Sequence, residues 1–368
     1  MSTQEDHSID SERKQKNRIS GLEELILFSE KAIERLNDLT NPALQVDKFY
    51  DFCNSGFSQC NYNDSAVQEF INNYLKNYSI NKNSIRTEKK CKNALGMLSA
   101  AIINNLKQES QLELSPEMKL ECLGYNMNKD HIINYNGDAG DYLATYMKKG
   151  TINVYGNALN IGEGLKGGVL NIYGNVKEAG RDIENGYIQV YGQANSIGKG
   201  MKGGKIIVTG DSINAGEDIK EGHIQIMGDV KRAGKKQSGG EIIIGKNAEF
   251  AGSEKSGGYM KIEGDVVVAG SDMKDGLLEI LGDVKVSAGF CMTGGEIYIQ
   301  GNVLDSLGRE MSGGKITVEG YVKKCIGPNL TGGTVNVNGK YNRVRKTKDC
   351  SFYSNGMRVK ENIIGFSQ

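Results

Sequence analysis

Tryptophan is absent from this chain of 368 residues, and proline and histidine occur three times each. With no Trp and only 7% aromatic residues, any core has to be built from aliphatic side chains. Scarce proline leaves nearly every backbone N–H free to pair, as repeated strand stacking requires. The histidines are His7, in a polar leading stretch, His131 and His223. So scattered a set cannot supply the three convergent imidazoles of a zinc hydratase, and no cofactor or metal is expected. Net charge is missing too, because 45 Lys+Arg balance 45 Asp+Glu. A neutral chain lacks the long-range field of a protein that grips nucleic acid or an anionic membrane. Seven cysteines (53, 60, 91, 122, 291, 325 and 350) form no C-x-x-C pair, and their odd number and spacing do not make a disulfide framework. No apolar run approaches the length of a membrane span, and no basic-apolar-small leader opens the sequence. The expectation is a reduced, soluble, cytoplasmic protein.

What the chain has in excess is glycine, 49 residues of it, distributed unevenly. Residues 1–20 are polar and are expected to be a disordered tail. Leu22, Leu25, Ile26, Ile33 and Leu36 then recur at helical spacing and predict a helix over 21–38. Further helices are predicted over about 43–53, around Val67–Leu75, and over 87–108. Residues 21–125 therefore read as a small α-helical domain with Pro116 near its end.

From about residue 131 the period changes. Gly150, Gly168, Gly186, Gly204, Gly222, Gly240, Gly258 and Gly276 are 18 residues apart, and Gly295, Gly314 and Gly333 continue at 19. Within a unit the second and fourth residues after the opening Gly are apolar, as in Ile152 and Val154, Ile206 and Val208, or Ile316 and Val318. Strict alternation is a strand with one buried face. An apolar residue such as Leu165, Ile183, Met201, Ile219, Met273, Met292, Met311 or Leu330 precedes most new units. Three six-residue sides turned by glycine make one coil, and coils bury their apolar faces only by stacking. The fold class expected is mainly β: a single-stranded parallel β-helix over 131–340 with 18-residue coils, after the helical domain. A C-terminal cap or tail follows at 341–368, with basic Arg343, Arg345, Lys346 and Lys348. Gly168, Gly186, Gly204, Gly222 and Gly258 are taken as structural corners, needed for positive φ and for the close backbone above and below.

Three features of the repeat invite a chemical reading. Asp138, Asp211, Asp229, Asp265 and Asp283 follow corner glycines, with Asn157, Asn175 and Asn302 at equivalent places. Stacking would align them into a ladder resembling an acidic catalytic groove, yet Gly-Asp and Gly-Asn are also ordinary turn dipeptides whose side chains bond backbone N–H groups. Glycine-rich segments such as GEGLKGG lack the G-K-[ST] ending of a phosphate loop. Tyr155, Tyr173 and Tyr191, followed along the row by Thr209 and Met227, should face outward on adjacent coils. They read equally as a stabilising aromatic ladder and as a partner surface, with the helical domain the first partner to consider. No catalytic residue is assigned.

The segments GDAGDYLATYMKKGTINVYGNA (137–158), LKGGVLNIYGNV (165–176) and MKGGKIIVTGD (201–211) resemble the G-x-G-x-G repeat family. It includes the C-terminal domain of the glutamate synthase large subunit and one of the subunits of formylmethanofuran dehydrogenase. The resemblance covers about 131–340. It implies a right-handed β-helix and a non-catalytic scaffold within an oxidoreductase complex, whose flavin, iron–sulfur or metal chemistry lies elsewhere. The partners it implies are proteins, redox-enzyme subunits among them, and neither nucleic acid nor membrane. The alternatives are a β-helix enzyme, or a carbohydrate-binding module, acting on a polymer or an acyl donor.

Overall fold

The computed structural model describes residues 21–33, 46–75, 85–327, 329–342, 344 and 351–359. The expected tail over 1–20 lies outside them, as do Arg343, Arg345, Lys346 and Lys348. The protein is mainly β, a parallel β-solenoid preceded by helices. It divides into two compact units, Met1–Val176 and Lys177–Gln368.

The first unit opens with four helices: α1 over 21–33, α2 Val46–Phe57, α3 Asp64–Glu69 and α4 Ile85–Asn104. The side chain of Asn63 caps α3 by accepting the Ala66 N–H at 3.0 Å, and Asp64 adds negative charge to its first turn. A π turn, Phe70–Tyr74, continues α3. Leu25, Phe57, Val67, Phe70, Leu98 and Ile102 are fully buried and form the helical core. Cys53 is buried with them, and burial pushes its thiol up to about 12, so it is an inert core residue.

The strands of this unit are β1 Gln111–Leu114, β2 Ile132–Asn136, β3 Thr151–Tyr155, β4 Ala158–Ile161 and β5 Val169–Ile172. β1, β2, β3 and β5 pair in parallel, with Ile133, Ile152 and Leu170 in register facing inward. β1 differs from the helical reading of 21–125. Its Gln-Leu-Glu-Leu sequence alternates, and Leu112 and Leu114 are buried, so it starts the sheet early.

Side chains of α3 and its π extension cover the free edge of β1. Gln68 Oε1 accepts the Glu113 N–H at 2.7 Å. Asn72 donates to the Glu113 carbonyl at 3.2 Å and accepts the Ser115 N–H at 2.7 Å. Amides four residues apart thus imitate a neighbouring strand, satisfying backbone groups that would otherwise template edge-to-edge pairing.

The second unit repeats a coil whose pattern is clear in residues 204–221. A strand of one sheet, Lys202–Val208, turns at Gly210 into a strand of a second sheet, Ser212–Ala215. Each pairs in parallel with its equivalent one coil on, Ile206 with Ile224 and Ala215 with Ala233. The third side corrects the expectation of three equal sides. Glu217, Asp218 and Ile219 form a turn with Asp218 at φ +57°, and only Ile219 reaches the interior. Ile206, Val208, Ala215 and Ile219 are at most 1% exposed. Burying each larger aliphatic residue contributes roughly 1.5–3 kcal/mol.

The five corner glycines named from the sequence all have positive φ, from +71° at Gly258 to +100° at Gly186. The second glycine of the coil is fixed differently: a Cβ on Gly210 would lie 2.7 Å from the Gly192 carbonyl oxygen of the adjacent coil. At its end, Ser351–Ser354 pairs in parallel with Thr334–Val337 and antiparallel with Met357–Arg358, so a hairpin occupies the last sheet edge.

Candidate interaction surface

Alternation along β3 and β5 turns Asn153, Tyr155, Asn171 and Tyr173 outward. The Tyr155 and Tyr173 rings stack at 4.8 Å between centroids and 14° between planes. Beside them runs an amide ladder: Asn171 donates to Asn153, and Asn153 to Asn134, each at 2.8 Å. Tyr155 and Tyr173 are 49% and 47% exposed, and in the second unit Tyr191 and Met227 are 48% and 45% exposed. Among the described residues the helices engage the edge of β1, while Tyr155 and Tyr173 stay about half exposed.

Stacking turns the faces of Tyr155 and Tyr173 toward each other and leaves their edges to solvent. A platform that binds sugar rings needs aromatic faces free, so this pair suits a ladder that also offers edges and hydroxyls to a protein.

The Asp/Asn row is a continuous hydrogen-bond ladder, but between coils and not within one turn. Asp211 accepts the Asp229 N–H at 2.8 Å, Asp229 the Asn247 N–H at 2.9 Å, and Asn247 the Asp265 N–H at 2.8 Å. Asp265 accepts the Asp283 N–H and Asp283 the Asn302 N–H, at 2.7 and 2.8 Å. In the first unit Asp138 and Asn157 repeat the pattern toward Asn157 and Asn175. One carboxylate oxygen of each Asp is thereby spent on the next backbone. Lys119, hydrogen-bonded to Asp138, holds that carboxyl below its usual range, and the Asn157 backbone adds to the effect. Lys285 sits 2.8 Å from Asp265 and 3.2 Å from Asp283, and these bonds raise its own pKa, Asp265 first. A carboxyl held low, as at Asp138, is the opposite of the raised-pKa acid that general acid catalysis needs.

The two described histidines have different surroundings. His131 is buried in the first unit, its Nδ1 accepting the Ser110 N–H at 3.2 Å, and burial followed by nearby Lys129 lowers its pKa. His223 lies on an outward strand face of the second unit, 2.7 Å from Glu241. Farther along this face Tyr259 donates to Glu279 at 2.5 Å, and desolvation, then that bond, push its hydroxyl up to about 12. Among the described residues no group of three His, Cys, Asp or Glu could hold a metal ion. The described cysteines carry no disulfide, and burial pushes Cys122 up to about 12.

Sequence reading missed one interior feature. Gln237 and Lys255 stand in the column otherwise filled by Met201, Ile219, Met273 and Met292, and both are fully buried. Lys255 Nζ donates to the carbonyls of Gly257 and Gly258, the latter at 2.6 Å. Gln237 donates to the carbonyls of Gly239, Gly240 and Tyr259 at 3.0–3.1 Å. Its Oε1 is buried without a partner. Burial lowers the Lys255 pKa to about 7, with Asp275 the opposing influence. The signal lay in the repeat itself, whose apolar residue is missing at 237 and 255.

No family model matches the chain, and no curated protein or solved structure matches it either. Among the described residues no helix is long and apolar enough to cross a membrane.

Proposed function

We propose that this protein is a non-catalytic β-solenoid scaffold that binds a protein partner through the outward rows of its coils. The observation that carries this reading is the Asx ladder. The acidic row that resembled a catalytic groove in the sequence is committed to the N–H groups of successive coils. The half-exposed tyrosines offer what partner surfaces favour, large rigid rings with a polar tip. Likeness of the repeat to the G-x-G-x-G family supports a redox-enzyme subunit as the partner. Described cysteines that carry no disulfide are in keeping with a cytoplasmic setting.

Affinity purification of the protein from native extract, with mass spectrometry of what remains bound, tests the reading. A stoichiometric redox-enzyme subunit is expected, and replacing Tyr155 and Tyr173 by Ala should release it without unfolding the coils. A chain recovered alone at every salt concentration overturns the proposal.

A further inference from the structure

The second sheet of the second unit has an outward face unrelated to the tyrosine row. Its centre is apolar. Val267 and Val268 are half-buried, and Phe250 and Val286 on the flanking coils are 40% and 45% exposed. Strand register places Phe250 beside Val268, and Val268 beside Ser287.

Charges are distributed unevenly about this centre. Two coils before it Lys231 and Arg232 are exposed, and two coils after it stands Asp305. One coil before it is Glu249 and one coil after it Lys285. One and two coils on either side of Val267 and Val268 the positions therefore carry opposite charges, with Asp305 also bonded to Lys324 of the next coil at 2.8 Å. The existing pair of Lys231 with Glu249 is loose, at 3.9 Å with both side chains about half exposed.

We propose that this face binds a second copy of the chain, across a two-fold axis parallel to the strands through Val266–Ala269. Such an axis keeps strand direction and reverses coil order. Val267 and Val268 then meet their own copies, and Phe250 meets the Val286–Ser287 bulge. Lys231 and Arg232 face Asp305, and Glu249 faces Lys285, each contact made twice, as a two-fold requires. A two-fold along the stacking direction is disfavoured, because it lays every coil on its own copy and sets Lys231 and Arg232 against themselves. The arrangement needs no other protein, so its success or failure is separate from that of the redox-partner reading.

Sedimentation equilibrium of the purified full chain over a wide concentration range tests the proposal. A dimer is expected. Val286→Glu should raise its dissociation constant about 10-fold or more while leaving thermal unfolding of the monomer nearly unchanged, since that side chain is 45% exposed. Arg232→Glu and Asp305→Arg should each weaken the dimer similarly. Mixed in equal amounts these two variants should recover it, because both cross-contacts in the mixed pair are again of opposite sign. A wild-type monomer at all concentrations overturns the proposal. So does a dimer indifferent to these changes, or a mixture that stays monomeric.

Discussion

Met201 and Ile219 fill one interior column on consecutive coils; Gln237 and Lys255 fill it on the next two. The backbone hardly differs between the pairs. Ile224 and Ile242 keep the same register as Ile206 and Ile224. What changes is how the column is stabilised. Met201 and Ile219 gain from leaving water, whereas Gln237 and Lys255 must recover their desolvation cost through bonds to corner carbonyls. Lys246, at a corner where other coils have glycine, makes this the least regular stretch of the repeat. A solenoid thus tolerates polar insertions if the inserted donors can reach backbone acceptors.

The sharpest way to break the contrast is Lys255→Met, which makes the column uniform. The folded pKa of about 7 lies below the ordinary 10.5, so between these values the unfolded chain holds more protons than the native one. The penalty is absent above about pH 10.5, grows as pH falls, and is complete below about 7. Removing it should stabilise the protein by roughly 5 kcal/mol at pH 6 at most, with the gain vanishing toward pH 10.5. Denaturant unfolding of both proteins across this range measures the difference. A pH-independent gain would mean that Lys255 keeps its ordinary pKa, and with it its charge, in the native protein. The converse, Met273→Lys, should install the same pH dependence one coil later.

Gly282→Ala asks whether the corner is as tolerant as Lys246 suggests. The added Cβ would lie 2.4 Å from the Gly264 carbonyl oxygen, a backbone atom that cannot swing aside. Destabilisation of about 3 kcal/mol is expected, visible as a lower denaturation midpoint with an unchanged slope. Gln237→Met should act in the opposite sense. It removes the buried, partnerless Oε1 and should stabilise by about 1–2 kcal/mol at every pH, which separates it from Lys255→Met.

Much of this was legible because the coil is periodic. Alternation at Ile206 and Val208, spacing from Gly150 to Gly276, and the outward placement of Tyr155 and Tyr173 all follow from position within a repeat. Features that depend on a single contact were not legible. Helical spacing marks Val67, Phe70 and Ile71 as core, but nothing in it reveals that Gln68 and Asn72 address the edge of β1. The third side was misjudged for a related reason. Apolar Ile219 fits a strand or a turn equally well, and only the left-handed Asp218 before it decides between them. The Asx row was readable as turn chemistry, but its direction, one coil onward, depends on the stacking geometry.

That direction supplies the smallest effect worth measuring. Asp229 accepts both the Asn247 N–H and its side-chain amide at 2.9 Å, while its own N–H donates to Asp211. Asp229→Ala leaves the Asn247 N–H without its acceptor, but the row is exposed and water can take the place. A loss near 1 kcal/mol is therefore expected, far below that of a buried orphan. Asp229→Asn should lose less, because an amide oxygen accepts the same N–H, as Asn247 itself does from Asp265. If Ala and Asn are equally destabilising, the carboxylate charge matters and not the acceptor. The row would then have to be reconsidered as an electrostatic site, against the reading that its oxygens are spent on the backbone.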